Sequence, residues 1–193
     1  VCVIGANTMY DTLIPSAVDC LTVQDVRLRL GRQAFEPFNF SIAPGERIAV
    51  LGPSGAGKSS LLKALCKEQH VSAGSILFQQ RALSNWCLRD LSRQRAVLPQ
   101  SHEVAFGLPV DLVIGLGRVS RTYDPEAQKM VRLAAELACA AHLLDRRFDS
   151  LSGGEKARVQ LARVFAQLWD CEQGLLLVDE PLAALDPGLQ FQL

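Results

Sequence analysis

What this sequence lacks narrows it first. Its 20 basic and 20 acidic side chains cancel, so no overall field draws the chain onto nucleic acid or an anionic membrane. Partners must be recognised through local chemistry. No apolar run reaches the roughly 18 residues of a membrane-spanning helix, and the opening stretch VCVIGANTMY lacks the basic flank of a signal peptide. Both absences lead us to expect a soluble, cytosolic chain. Cys2, Cys20, Cys66, Cys87, Cys139 and Cys171 form no C-x-x-C pair, and the three histidines show no ligand spacing beside them. The expectation is small buried thiols in a reducing compartment, not a metal site or a disulfide framework. Internal repeats, low-complexity tracts and heptads are also missing.

What remains is enough to fold. With 193 residues, 49% of them hydrophobic, the chain fits one domain with room for a subdomain and a sizeable core. Residues 1–20 show no clean period and form an N-terminal segment of unknown role. From Leu21 onward LTVQDVRLRL alternates, with Leu21, Val23, Leu28 and Leu30 set against polar neighbours, and FNFSI and SILFQ read as further short strands. Together they predict a small antiparallel sheet beside the first motif described below. RIAVLG, AVLPQ (96–100) and GLLLVDEP (174–181) are continuous apolar runs of the kind that suits parallel strands buried on both faces. Between the last two, Asp124 is a candidate cap, Pro125 suits a first helical position, and EAQKMVRLAAELACAA continues with strong helix formers. Strand and helix alternate, which argues for an α/β fold.

The sharpest motif is GPSGAGKSS, where Gly52, Gly57, Lys58 and Ser59 fill G-x-x-x-x-G-K-[ST] after an apolar strand and before the helical run SSLLKALCK. Its residues are Gly52, Pro53, Ser54, Gly55, Ala56, Gly57, Lys58, Ser59 and Ser60. Glycines let backbone N–H groups turn inward around phosphates, Lys58 can reach the β- and γ-phosphates, and the Ser59 hydroxyl can bind Mg²⁺. Phosphoryl transfer also needs a metal-holding acid and a group that deprotonates water. LLLVDE offers Asp179 for the metal and Glu180 as general base. A nucleoside triphosphate and Mg²⁺ are the implied substrate and cofactor, and the family resemblance described next implies ATP.

A second candidate anion site follows at DSLSGGEKARVQ. Ser152 to Glu155 can be read as a capping box, yet Gly153 and Gly154 each cost up to about 1 kcal/mol against alanine in a helix. Two glycines there instead let an external anion approach the positive end of a helix. LSGGE resembles the signature of ATP-binding-cassette (ABC) ATPases, of the P-loop NTPase fold: a mainly parallel core sheet, a small antiparallel β subdomain and a helical subdomain. The resemblance covers nearly everything from Leu21 to Leu193, with the P-loop, Gln100 in LPQ as the Q-loop, LSGGE, LLLVDEP and AALD as the D-loop in the family's order.

The resemblance implies more than the residues alone. Residues 21–193 become the ATPase domain, with a helical subdomain at about 101–165. Gln100 becomes a catalytic residue and, with Ser59 and Asp179, a Mg²⁺ ligand. Two cassettes face each other head to tail, so that Leu151, Ser152, Gly153, Gly154 and Glu155 of one contact the ATP of the other, and Asp186 marks the D-loop. The short interval of about fifty residues between Gln100 and Leu151 is the importer pattern, whereas cassettes that hold DNA carry coiled coils there and translation-factor cassettes come as tandem copies. It implies integral-membrane permease partners, an indirect periplasmic binding protein, no nucleic acid, and a peripheral place on the cytoplasmic face of the inner membrane. AQLWDCEQGLLLVDEP resembles haem-import cassettes most, with iron-siderophore or cobalamin import, or a non-transport ABC ATPase of the translation-factor or DNA-associated type, as the alternatives. Two departures stand out. Leu30 occupies the place where an aromatic residue often stacks on adenine, and no histidine follows His142 to serve as the switch residue. A fragment is expected, with the strand between RIAVLG and LLLVDE missing and two apolar edges left unpaired.

Overall fold

In the computed structural model of this protein, residues 2–5, 19–31, 33–99 and 107–179 are described. The chain is α/β. Its strands are β1 (Cys2–Gly5), β2 (Leu21–Arg27), β3 (Arg29–Leu30), β4 (Gln33–Ala34), β5 (Phe38–Ile42), β6 (Arg47–Ala49), β7 (Ala73–Phe78), β8 (Arg81–Ala82), β9 (Arg95–Leu98) and β10 (Leu175–Val178). Its α-helices are α1 (Lys58–Leu65), α2 (Leu88–Gln94), α3 (Val110–Gly115), α4 (Ala127–Leu137) and α5 (Gly153–Leu168). None of the described helices is long and apolar enough to cross a membrane.

The antiparallel sheet runs β5-β2-β7-β8, and its central strand explains an irregular alternation. Leu21 and Val23 are buried, then the phase shifts so that Val26 and Leu28 are buried too. The cause is a bulge. Asp25 takes a left-handed φ of 47°, the register slips on both sides of it, and the extra residue turns the strand. Asn39 holds the bulge by accepting from the Asp25 N–H at 2.7 Å and donating to its carboxylate at 3.1 Å. Gly74 faces it at φ +86°, where a Cβ would lie 2.2 Å from the Asp25 carbonyl oxygen.

The second sheet has the order β6-β1-β10-β9. β9 and β10 pair in parallel, as the apolar runs predict, from Arg95 opposite Leu175 to Leu98 opposite Val178. The slot between β6 and β10 is filled, which corrects the expectation of two unpaired edges. β1 lies there antiparallel to both neighbours, with Val3 opposite Leu177 on one side and Ile48 on the other. The described sheet is therefore mixed, although β6, β9 and β10 share one direction. The physical reason is that open edges of buried apolar strands present N–H and C=O groups that need partners.

Two cores flank this sheet. Leu176, Val178, Ala96 and Leu98 join one with α3, α4 and α5, while Leu175 and Leu177 join the other with α1 and the antiparallel sheet. α4 begins at Ala127, two residues later than the Pro125 start expected from sequence. The Asp124 carboxylate is held chiefly by the buried Arg118 guanidinium, with the Glu126 N–H as a further donor. A charge-assisted bond of that kind outweighs a neutral cap.

The cysteines divide, contrary to the expectation that all are buried. Cys20 and Cys66 are buried, and burial pushes both thiols up to about 11. Cys87 and Cys139 are exposed, because Cys87 sits at the start of α2 accepting the Asp90 N–H and Cys139 takes a left-handed φ of 52° just past α4. The five cysteines whose side chains are described, Cys20, Cys66, Cys87, Cys139 and Cys171, are free thiols.

β1 gives a direct test of the sheet. Val3→Pro removes an N–H and places proline in a central strand, so about 2 kcal/mol of unfolding free energy should be lost with the ladder bonds. The urea midpoint reads it, and an unchanged midpoint would show that β1 does not hold the slot.

Candidate functional site

The loop between β6 and α1 forms the first half of the site. Gly57 ends it at φ 89°, and no side chain caps α1. The first-turn N–H groups of α1 are therefore offered to whatever lies in the loop. Lys58 folds back over that loop, its ammonium donating to the carbonyls of Gly52 at 2.8 Å and Pro53 at 2.9 Å. The cation thus sits on the loop that leads into the positive end of a helix, an arrangement that attracts a polyanion. Residues 51–56 and Ser59 are exposed, whereas Ser60 is turned into the core.

One aromatic neighbour of this loop was not singled out in the sequence. A Cβ at Gly57 would lie 2.8 Å from Phe35 Cδ1, so the Phe35 ring packs against the loop's last glycine. Gly57 thus needs to be glycine twice, for its φ and for this ring. The signal was readable only as an aromatic on the turn that follows LRLGRQ. The Leu30 side chain lies outside the described residues, as do Gln100, Glu180 and Asp186.

Asp179 stands just past β10, where its N–H donates to the Leu98 carbonyl at 3.1 Å and so continues the parallel ladder. β1 lies between β6 and β10, which sets their ends about 10 Å apart at the usual strand spacing. Asp179 and the P-loop therefore emerge from strands two places apart in one sheet.

The second glycine pair opens α5, and here the capping box is present. The Ser152 hydroxyl accepts the Glu155 N–H at 3.4 Å, and the Glu155 carboxylate accepts the Ser152 N–H at 2.7 Å. That backbone donor, with the Ser152 hydroxyl and Arg146 at 2.9 Å, holds the Glu155 carboxyl below its usual range. Capping does not account for Gly153, however. A Cβ there meets nothing within 4 Å, so neither its backbone nor packing among the described residues demands glycine. Leu151 is anchored in the core built on α3, α4 and α5, whereas α1 belongs to the other core. The two glycine-bearing helix starts thus rest on different cores.

Phosphate loop, acid-bearing strand end and glycine-led helix define a nucleotide-binding ATPase cassette. Residues 35–183 match the family described as ABC transporter, and the chain belongs to it. The hemin import ATP-binding protein HmuV of Pseudomonas aeruginosa is 44% identical over 170 residues, covering 86% of this chain and 67% of the relative. HmuV of Methylobacillus flagellatus is 44% identical over 160 residues, covering 80% of this chain and 60% of its own. The chain thus spans 60–67% of the length of these two relatives. Among solved structures, a metal-chelate type ABC transporter in an inward-facing conformation superposes with a TM-score of 0.72 at 26% identity, covering 90% of this chain and 65% of that one. The cbiO1 protein of Clostridium perfringens, part of the ABC transporter complex cbiONQ, does so at 0.75 and 28%, covering 88% and 68%.

The two residues at the start of α5 should separate on mutation. Ser152→Ala should cost about 1 kcal/mol of stability through loss of the cap, whereas Gly153→Ala should gain up to about 1 kcal/mol through helix propensity. Chemical denaturation of both variants checks this. Destabilisation by Gly153→Ala would mean that the fold itself needs the glycine.

Proposed function

We propose that this chain is the ATP-binding subunit of an importer, hydrolysing ATP to drive uptake of haem through membrane permease subunits. One observation carries the ATPase reading: the Lys58 ammonium held on the Gly52 and Pro53 carbonyls of the loop that leads into the uncapped start of α1. On substrate binding, the N–H groups of residues 55–60 take the phosphate oxygens. Lys58 exchanges its two carbonyl acceptors for β- and γ-phosphate oxygens. Glu180 accepts a proton from water as the water oxygen attacks the γ-phosphorus, and the bond to the bridging oxygen breaks with its electrons passing to ADP.

The Ser59 hydroxyl, Asp179 and Gln100 would supply oxygen donors of the kind Mg²⁺ takes. When bound, that ion neutralises charge on the β- and γ-oxygens. Ser152 to Glu155 face outward for the γ-phosphate held by a second copy, which explains why Gly153 stands in open space. Asp186 lies on the D-loop of the same head-to-tail homodimer. The helical part of the chain is then the docking side for the permease, placing the subunit peripherally on the cytoplasmic face of the membrane, with a periplasmic binding protein as indirect partner. Haem as cargo is supported by the names of the relatives, whereas the metal-chelate type structural neighbour favours an iron chelate as the second reading.

Three variants test the chemistry, in this chain and in a version extended to the length of the relatives. Glu180→Gln should leave ATP affinity intact and lower turnover by about a hundredfold or more, while Lys58→Ala should lower ATP affinity itself. Ser152→Ala with Gly154→Asp should bind ATP yet fail to dimerise, read by light scattering with Mg-ATP. Turnover of Glu180→Gln within about threefold of the parent would exclude it as the base. In vesicles with the permease, a haem-loaded binding protein should stimulate phosphate release; stimulation by a siderophore or cobalamin instead would replace the cargo.

A further inference from the structure

We propose that the pocket where the ends of α2 and α5 meet the turn at residues 118–124 is a separate anion site, taking a phosphate-type dianion. The pocket has a volume of about 560 Å³ and is lined by Arg93, Arg118, Arg121, Asp124 and Asp170, among others. It lies at the opposite end of α5 from Ser152, about 24 Å away along a helix of 16 residues. It is therefore distinct from the nucleotide motifs, and the proposal does not depend on the ATPase reading.

The hydrogen bonds show which groups are already engaged. Arg118 is engaged at all three nitrogens: it binds Asp124 through two of them, Asp170 at 3.0 Å, and the Ala166 carbonyl at the end of α5 at 3.2 Å. Arg121 uses Nε and one terminal nitrogen on Asp170, at 3.1 and 2.7 Å. Both lining carboxylates are thereby taken. Arg93 reaches only the Ser120 carbonyl, at 2.8 Å, and pairs with no carboxylate among the described residues. Arg89 closes the rim on the Thr122 hydroxyl at 2.7 Å.

Donors are left over. Arg93 Nε, Arg121 Nη1 and the Ser120 hydroxyl oxygen are buried without a partner among the described residues. Buried polar groups in a folded chain are almost always paired, so two orphans on lining residues, with the Ser120 hydroxyl next in sequence to Arg121, point to an acceptor that enters from outside. Three lining guanidinium groups face two carboxylates, leaving a net charge of +1, and Arg89, bonded to the lining Thr122, raises it to +2 at the rim. A phosphate-type dianion neutralises it, and the planar fork of arginine suits such oxygens. The negative end of α5 opposes an anion, but Arg118 on the Ala166 carbonyl stands between them. Occupancy would tie α2, the 118–124 turn and the end of α5 together.

Inorganic phosphate and the headgroup of an anionic lipid share this chemistry, and the test separates them. The parent is the full chain carrying Lys58→Ala, so that the P-loop does not compete. It is titrated with inorganic phosphate at constant ionic strength by calorimetry and by NMR of the arginine Nε signals. It is also sedimented with phosphatidylglycerol and phosphatidylcholine vesicles. The expected result is phosphate binding that shifts the Arg93 and Arg121 signals, weakens tenfold or more in Arg93→Gln, and returns in part in Arg93→Lys. Sedimentation with phosphatidylglycerol alone, lost in Arg93→Gln and competed by phosphate, supports the site with a lipid as its source. A parent that binds neither probe, or phosphate binding that leaves the Arg93 and Arg121 signals unmoved, overturns the proposal without reliance on any variant's folding.

Discussion

β10 is the strand on which the rest of this molecule depends. Leu175, Leu176, Leu177 and Val178 are all buried, alternate ones entering the helical core and the core beneath the antiparallel sheet. A strand covered on both faces cannot move toward one layer without opening the other, because close-packed interiors resist such shifts. Asp179, one residue past that strand, inherits its rigidity. Its N–H remains in the ladder with Leu98, so an acidic side chain is delivered from a strand covered on both faces.

The same sheet sets the distance between the two halves of the candidate site. β6 leads into the P-loop and β10 into Asp179, and β1 holds them one strand apart. Helix termini then divide two tasks. α1 has no side-chain cap and leaves its first N–H groups for a ligand, with the Lys58 ammonium on the loop that leads into them. α5 satisfies itself through Ser152 and Glu155, yet keeps Gly153 where no described neighbour requires it. A helix that is complete within the chain and still bare at its tip is suited to a ligand presented by another molecule.

Much of this was legible because it is local. The P-loop residues 52–60 appear as spacing, and the parallel pair β9 and β10 appears as two apolar runs. The antiparallel sheet was also visible, but its register was not. The alternation at Leu21 and Val23 breaks at Asp25, and only the facing Asn39 and Gly74 show why the bulge sits there. Asp124 looked like a cap because capping is a local rule. Arg118, six residues away, takes its carboxylate instead, as no local pattern announces a buried guanidinium.

By itself, the sequence determined the chemistry that travels with neighbouring residues: a glycine-lined turn with Lys58, an acid pair after an apolar strand, and a glycine-led helix. Motifs of this sort are encoded in a few consecutive side chains, and the backbone conformations they need are set by those residues alone. The tertiary structure decided everything that depends on residues far apart in the chain. It placed β1 between β6 and β10, set Phe35 against Gly57, and gathered Arg93, Arg118 and Arg121 around one pocket. Such placements follow from the demand that buried edges, rings and charges all find partners at once, and that demand is met only when the whole chain has packed.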